Sequence, residues 1–271
     1  MLVPQKQNGL HTPILLALIA TGLTVLVATS LGKELVKTVT DVMYIPIAGI
    51  FVASAAMMVL RFGRTGSHGK AWLFILGAAI SWFLAETLWT VFELAYNENP
   101  FPSVADVFYL IGYPLFFAFL VYYLKPIRNA ISKKMLVTAI IISASVAVPS
   151  MYIAYSFDPT TTLTENVLST AYPIGDAVIL VPALIGISLF FRGEVSFSWS
   201  LVCIGIIFFA AGDIGFQFTT FTNTYYTGHP VDILLMWSYI MFTFGVIDNY
   251  RIFKKEKTVV DKKGKYSYTG I

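Results

Sequence analysis

Charge is scarce in this chain. Only 12% of its 271 residues are Asp, Glu, Lys or Arg, against 57% that are hydrophobic. A water-soluble domain carries about a quarter charged residues, so an ordinary soluble globule is excluded. The net charge is only +3, and no basic stripe marks a nucleic-acid surface. Cysteine is nearly absent. Cys203 stands alone in an apolar run, which excludes an internal disulfide and a thiolate metal cluster. The three histidines, His11, His68 and His229, fall at the ends of apolar runs or in loops. That leaves no paired axial ligands for haem and no helix-borne pair for a zinc hydrolase. No lysine lies deep in an apolar run, so a retinal Schiff base is excluded. Nucleophile-elbow, phosphate-loop and kinase motifs are missing as well. These absences point away from an enzyme.

Long apolar runs are what the chain has in abundance. Eight of them, at about 12–32, 40–61, 71–95, 103–124, 135–156, 167–191, 198–221 and 230–250, are each long enough to cross about 30 Å of hydrocarbon. The first is read as a helix rather than a cleaved signal, because it is a full span. The basic residues are placed on one side. Lys6, Arg61, Arg64, Lys70, Lys125, Arg128, Lys133, Lys134, Arg192 and seven in the tail from Arg251 share it, which is 16 of 18. Lys33 and Lys37 alone fall on the other. The positive-inside rule then puts both termini in the cytoplasm of a cell-membrane protein. The outer loops are turn-rich and neutral or acidic: Asn97–Ser103, Asp158–Thr162, and Thr219–Pro230 with Asn223, Tyr225, Tyr226 and His229. The basic start of the tail reads chiefly as a topology anchor, with contact to anionic headgroups as the alternative.

Against this background six carboxylates stand out: Asp41, Glu86, Asp106, Asp176, Asp213 and Asp232. An acid in a bilayer costs about 2.5–3.5 kcal/mol on insertion scales, so it faces protein, a watery cavity or a partner. The first three, shifted by 135, 127 and 126 residues, land on the last three. The expected fold is therefore all-α and integral to the membrane, with eight transmembrane helices as a tandem 4+4 parallel repeat. Residues 1–130 and 131–250 are the two copies, and 251–271 form a basic tail. Glu86 and Asp213 each lie 15 residues into their spans, about 22 Å from the cytoplasmic end. Tyr113 and Tyr239 follow Asp106 and Asp232 by seven residues, two helical turns, on the same face. Asp41 and Asp176 are the weakest match.

Structural roles compete with functional ones at each acid. Asp41, Asp106 and Asp232 sit at helix starts, where an acid caps free N–H groups. Glu86, Asp176 and Asp213 lie deeper and need buried donors, for which Thr90, Tyr172 and Gln217 are four residues away on the same helices. Glu93, two turns beyond Glu86, is expected at the outer interface. Trp72, Trp82, Trp89, Trp199 and Trp237 read chiefly as interfacial belt and packing. A pocket near Trp89, Tyr109, Tyr113 and Tyr239 is the sharper alternative. Pro46, Pro149, Pro173 and Pro182 are expected to kink four spans.

One stretch carries a resemblance. Residues 100–115, PFPSVADVFYLIGYPL, resemble the PFPSxADxxYLxGYPL run in the membrane regions of many bacterial diguanylate cyclase (GGDEF/EAL) receptors. Asp41-Val42-Met43-Tyr44 opens the second span. Ala85-Glu86-Thr87-Leu88-Trp89 with Glu93 is similar to that family's AGDxxWxxYE helix, and Ala171-Tyr172-Pro173-Ile174-Gly175-Asp176 to its AYPLGD. Ala211-Gly212-Asp213 and Tyr226–Asp232 resemble its late AxD…YxxGxPxD region. The resemblance spans about residues 12–250 and implies an eight-helix sensor-like module. Glu86 stands where the family usually has Asp. Only a tail of about 20 residues follows the eighth span, so output is expected to pass through a separate cytoplasmic signalling protein, unless the module has a task of its own.

The leading expectation is a sensory or ligand-binding membrane module in the lipid bilayer. Its outward cavity would take a small ligand or cation at Glu86, Trp89, Asp106, Tyr109, Tyr113, Tyr172, Asp176, Asp213, Gln217, Asp232 and Tyr239. No cofactor or metal is assigned, and His229 is the one weak metal candidate. A small-molecule, ion or proton transporter is the alternative, opposed by the lack of an acid marking the cytoplasmic half. A carboxylate-metal enzyme is the third reading.

Overall fold

The computed structural model describes residues 9–155, 161–190 and 196–263. Lys6, residues 156–160 of the fifth-to-sixth connection, Arg192 and the tail from residue 264 lie outside them. Eight long helices run through the described residues: α1 His11–Leu31, α2 Lys33–Phe62, α3 Gly66–Thr90, α4 Val104–Leu124, α5 Lys133–Ala154, α6 Leu163–Phe190, α7 Ser196–Phe221 and α8 Pro230–Lys263. A π-helical turn, Val91–Tyr96, prolongs α3, and a 3-10 turn, Lys125–Ala130, follows α4. No strand occurs among the described residues. Each long helix contains a segment apolar and long enough to cross a bilayer. The chain is an all-α, multi-pass membrane protein.

Local sequence sets the helix ends. Ser103 begins α4 with a capping box: its hydroxyl accepts from Ala105 N at 3.1 Å while Asp106 accepts from Ser103 N at 2.7 Å. Thr162 and Glu165 do the same for α6, at 3.2 and 2.6 Å. At the start of α8 the capping acceptor is His229, whose Nδ1 takes the Val231 N–H at 3.3 Å. Helix α2 begins at Lys33, seven residues before the apolar run. Glu34 in its first turn pairs with Lys37 at 3.1 Å. Asp41 is consequently not at a helix start: it lies in the third turn and is 1% exposed. The helices run on through Pro46, Pro149, Pro173, Pro182 and also Pro114, as membrane helices tolerate.

Six helices close a ring. α2 packs on α3, α3 on α4, α4 on α6, α6 on α7, α7 on α8, and α8 back on α2. α1 lies outside against α2 and α8, and α5 outside against α6 and α7. Over their most apolar stretches α8 is 67% buried, while α1 and α5 are only 28% and 22% buried. The outer helices present Leu15, Leu16, Ile141 and Val148 outward, the faces that lipid would cover.

Aromatic rings fill the ring's interior. Trp89 meets Phe216 at 6.0 Å between centroids, Trp82 stacks on Phe209 at 4.9 Å, Phe116 meets Phe242 at 4.9 Å, and Tyr123 meets Trp199 at 5.0 Å. Trp72, Trp82 and Trp199 are fully buried, so they are core residues and not a belt. Two glycines make room for them. The Trp82 indole lies on Gly112 and donates to Tyr109 O at 3.1 Å; the Trp199 indole lies on Gly186 and donates to Ala183 O at 3.1 Å. Cys203 is buried beside Trp199, with its Sγ 3.1 Å from Ala183 O.

A methyl group at Gly112 collides with the Trp82 indole, whereas one at Gly49 meets only Phe83 at ordinary contact distance. Gly112→Ala is therefore expected to lower stability by about 1–3 kcal/mol, and Gly49→Ala to leave it nearly unchanged. Thermal unfolding followed by tryptophan fluorescence checks this; equal melting temperatures would refute the indole-on-glycine packing.

Candidate functional site

The buried acids gather at one end of the ring, the end opposite both termini. There a cavity of about 70 Å³ opens. At about 10–15 Å³ per water centre, it has space for on the order of five waters. All six ring helices reach it: α2 with Asp41 and Tyr44, α3 with Glu86 and Trp89, α4 with Asp106 and Tyr109, α6 with Tyr172, α7 with Asp213, Phe216 and Gln217, and α8 with Asp232 and Leu235. Phe209 lies at its floor side on α7, and Phe101, Tyr225 and Thr227 come from the connecting loops. Lysine, arginine and histidine are not among the described residues that line it.

A simple spacing builds this wall. Each of the five lining acids is followed three residues later by a second lining side chain: Tyr44, Trp89, Tyr109, Phe216 and Leu235. Residues three apart share a helix face, so five of the six helices each bring one acid and one large apolar or aromatic group to the same space, while α6 brings Tyr172.

Glu86, Asp106, Asp176 and Asp213 each meet a phenol from another helix. Tyr239 of α8 donates to Glu86 Oε1 at 2.8 Å, and Tyr109 is a second donor to the same carboxylate. Tyr172 of α6 donates to Asp106 Oδ1 at 2.6 Å. Tyr113 of α4 approaches Asp213 Oδ2 at 2.6 Å and Asp176 Oδ1 at 3.1 Å. One phenol carries one proton, so both contacts are hydrogen bonds only when one of those two carboxyls brings a proton of its own. Asp232 accepts from Gly228 N at 2.7 Å and from Tyr225 at 3.2 Å, and Tyr44 donates to its main-chain oxygen at 3.1 Å.

The same-helix partners expected for the deep acids are therefore replaced. Thr90 donates to Asp41 O at 3.2 Å and Gln217 Nε2 to Ser169 O at 3.0 Å, each tying neighbouring helices through the backbone. Asp106 and Asp232 have two roles, since each anchors its helix start and lines the cavity. Asp176 is buried behind the wall, reached through Tyr113. Tyr113 and Tyr239 likewise stand behind the wall, while Trp89, Tyr109, Tyr172 and Gln217 line it. Three acceptor oxygens are left over, one of them Asp176 Oδ2 behind the wall. The other two, Asp41 Oδ2 and Gln217 Oε1, are likewise buried and have no hydrogen-bond partner.

Several residues of the site were not singled out by sequence reasoning. Tyr44, Phe209, Phe216 and Leu235 were detectable, because they lie three or four residues from an acid on the same face. Tyr225 and Thr227 belong to the α7–α8 loop, whose path no periodicity describes. That loop caps the mouth, where Thr227 donates to Glu93 at 2.7 Å and Trp89 donates to the same carboxylate at 3.0 Å. Glu93, on the π-helical turn, is thus tied down at the mouth. A seventh acid, Asp248, lies near the other end of α8, held by Ser198 at 2.5 Å, away from the cavity. His229 is engaged as a helix cap through Nδ1, and no group of three His, Cys, Asp or Glu among the described residues is arranged to hold an ion.

Fold and site together define a multi-pass helical membrane protein with an acid- and aromatic-lined cavity at one end of a six-helix ring. No protein-family model, no curated protein and no solved structure matches the chain.

Removing the Tyr113 hydroxyl leaves Asp176 and Asp213 one hydrogen-bonding proton short between them. Tyr113→Phe is expected to cost on the order of 1–2 kcal/mol of stability, while Phe at the exposed Tyr152 of α5 costs nothing measurable. A melting comparison in the same detergent decides it, with equal loss in both variants counting against the network.

His229 gives a pH dependence. Partial burial pushes its pKa below the ordinary 6.5, and its Nδ1 accepts a cap bond only when unprotonated. The neutral form is the one the fold favours, so this contribution is fully present above about pH 6.5. It fades as pH falls through the lowered value. His229→Ser caps without titrating there, and its melting temperature is expected to fall less between pH 7 and pH 5 than that of the native chain. Parallel curves would remove His229 from the cap.

Proposed function

We propose that the chain is a sensory, ligand-binding membrane module and not an enzyme. A small ligand enters the cavity from outside the cell, and the changed packing of the ring is read at the cytoplasmic end by a separate signalling protein. One observation carries this reading: every helix of the ring delivers a side chain to the same cavity, and the acids there are hydrogen-bonded across helix boundaries. A ligand that competes for those acceptors changes several interhelical contacts at once. The similarity to the membrane regions of diguanylate cyclase receptors points the same way.

Orientation rests on charge. Arg61, Arg64, Lys70, Lys125, Arg128, Lys133 and Lys134 flank the connections at the termini end, against Lys33 and Lys37 at the cavity end. The positive-inside rule assigns the termini to the cytoplasm and the cavity to the exterior.

The 4+4 repeat belongs to this reading, and paired geometry supports it. At separations of 126–128 residues, Trp82 corresponds to Phe209, Trp89 to Phe216, Phe116 to Phe242 and Tyr123 to Asn249. Each residue touches its own counterpart, as at a two-fold axis. Off the axis the pairs are reciprocal. Tyr113 serves Asp213 while Tyr239 serves Glu86, and Thr90 reaches Asp41 O while Gln217 reaches Ser169 O. The counterpart of Tyr172 is then Tyr44, 128 residues earlier. This match replaces that of Asp41 with Asp176.

Binding is favoured over passage by what lies beneath the cavity. Trp82, Phe116 and Phe242 are completely buried and close-packed on the axis.

The test is a thermal-shift panel of cations and small polar molecules on the purified protein, repeated with Glu86→Gln/Asp213→Asn. At least one compound is expected to raise the melting temperature of the native chain by several degrees and to lose most of that effect in the double variant. A compound that stabilises both equally places binding elsewhere. Sustained flux of it in proteoliposomes would favour a carrier instead.

A further inference from the structure

The chemistry of the cavity restricts what can occupy it. Resting on the ligand-binding reading above, we infer that the occupant is a small organic ammonium ion, held by Asp41 and Gln217 against aromatic faces. Asp41 is 1% exposed and Gln217 8% exposed, both line the cavity, and Asp41 Oδ2 and Gln217 Oε1 are acceptors without a donor. A buried, unserved acceptor costs free energy, and these two call for a ligand that donates. An ammonium group brings up to three N–H donors. An anion or a pure acceptor brings none.

Charge and surface agree with this choice. The lining carries five acids and, among the described residues, no base. The other lining acids already have phenol or main-chain donors, so Asp41 and Gln217 supply the open contacts. Tyr44, Trp89, Tyr109 and Tyr172 offer ring faces, which attract a diffuse organic cation. A metal ion fits poorly. Calcium and magnesium need six or more oxygens at about 2.0–2.6 Å, and no three ligating residues converge among those described. Size sets the upper limit: space for on the order of five waters accepts on the order of five non-hydrogen atoms.

Propylammonium is the probe. It is compared with propan-1-ol, with propionate and with sodium, potassium, magnesium and calcium chlorides, at matched ionic strength on the full chain. Tryptophan fluorescence provides a second readout, since Trp89 is in the wall. Propylammonium is expected to raise the melting temperature at millimolar concentration, and the neutral, anionic and metal probes to have little effect. Asp41→Asn keeps the shape and removes the charge; affinity is expected to fall at least tenfold, with Gln217→Leu giving a smaller loss. If the variant unfolds, competition settles the point, because sodium or calcium displacing propylammonium at equal concentration would overturn the assignment. So would equal stabilisation by propan-1-ol, or unchanged affinity in a folded Asp41→Asn protein. If a neutral or anionic compound from the wider panel binds and requires Glu86 and Asp213, the cavity reading survives and the ammonium assignment fails. If no compound of any class responds, both fall.

Discussion

Everything at this site depends on the need to supply donors to carboxylates inside an apolar bundle. Lysine or arginine would serve, but would also neutralise the acids and block the space beside them. Tyrosine solves the problem differently. Its ring packs as a hydrophobe while its hydroxyl reaches across the interior. Tyr239, Tyr172 and Tyr113 each begin on one helix and end on an acid of another. Glu86, Asp106 and Asp213 gain donors, the helices are tied together, and no lysine, arginine or histidine among the described residues lines the cavity. The acid-lined mouth and the closure of the ring therefore have one cause.

That cause also explains the aromatic interior. A phenol can cross the ring only if neighbouring rings set its position, and Tyr239 is in contact with Phe51, Trp82 and Phe209. Tyr113 is placed by Trp82 and Phe209. The column below the cavity is thus the support that aims the donors, besides being the core. Helices α1 and α5 take no part in the donor network, which agrees with their position outside the ring.

How much of this was legible in the chain varied with the kind of information needed. The eight spans follow from hydropathy, since bilayer thickness sets their length. The start of α2 does not follow: Glu34 and Lys37 make that turn too polar to read as membrane, yet Val36 and Thr40 are buried in packing. The depth of the acids was readable, because it needs only a rise per residue. Their partners were not. Spacing names neighbours on one helix, such as Thr90 for Glu86, while the true donors arrive across crossings that no local pattern encodes. Hydropathy leaves the tryptophans divided between belt and packing for a related reason. When every face of a helix is apolar, nothing distinguishes the lipid side from the core side. The lining itself was nearly readable, through an acid followed at the third position by a large side chain on five helices.

The mouth of the cavity joins these parts. Trp89 lines the wall and donates to Glu93, and Glu93 accepts from Thr227 in the α7–α8 loop. One residue further, Gly228 donates to Asp232, whose main-chain oxygen receives Tyr44 of α2. Asp41, one turn from Tyr44, receives Thr90 of α3 through its main-chain oxygen, and its Oδ2 is buried without a donor. A group bound to that oxygen and resting on Trp89 therefore touches the network at two points. From there a hydrogen-bonded path leads to the loop, to α8, to α2 and back to α3. The sensory reading requires such a circuit, because occupancy of one small space must be felt by helices that run to the far side of the membrane.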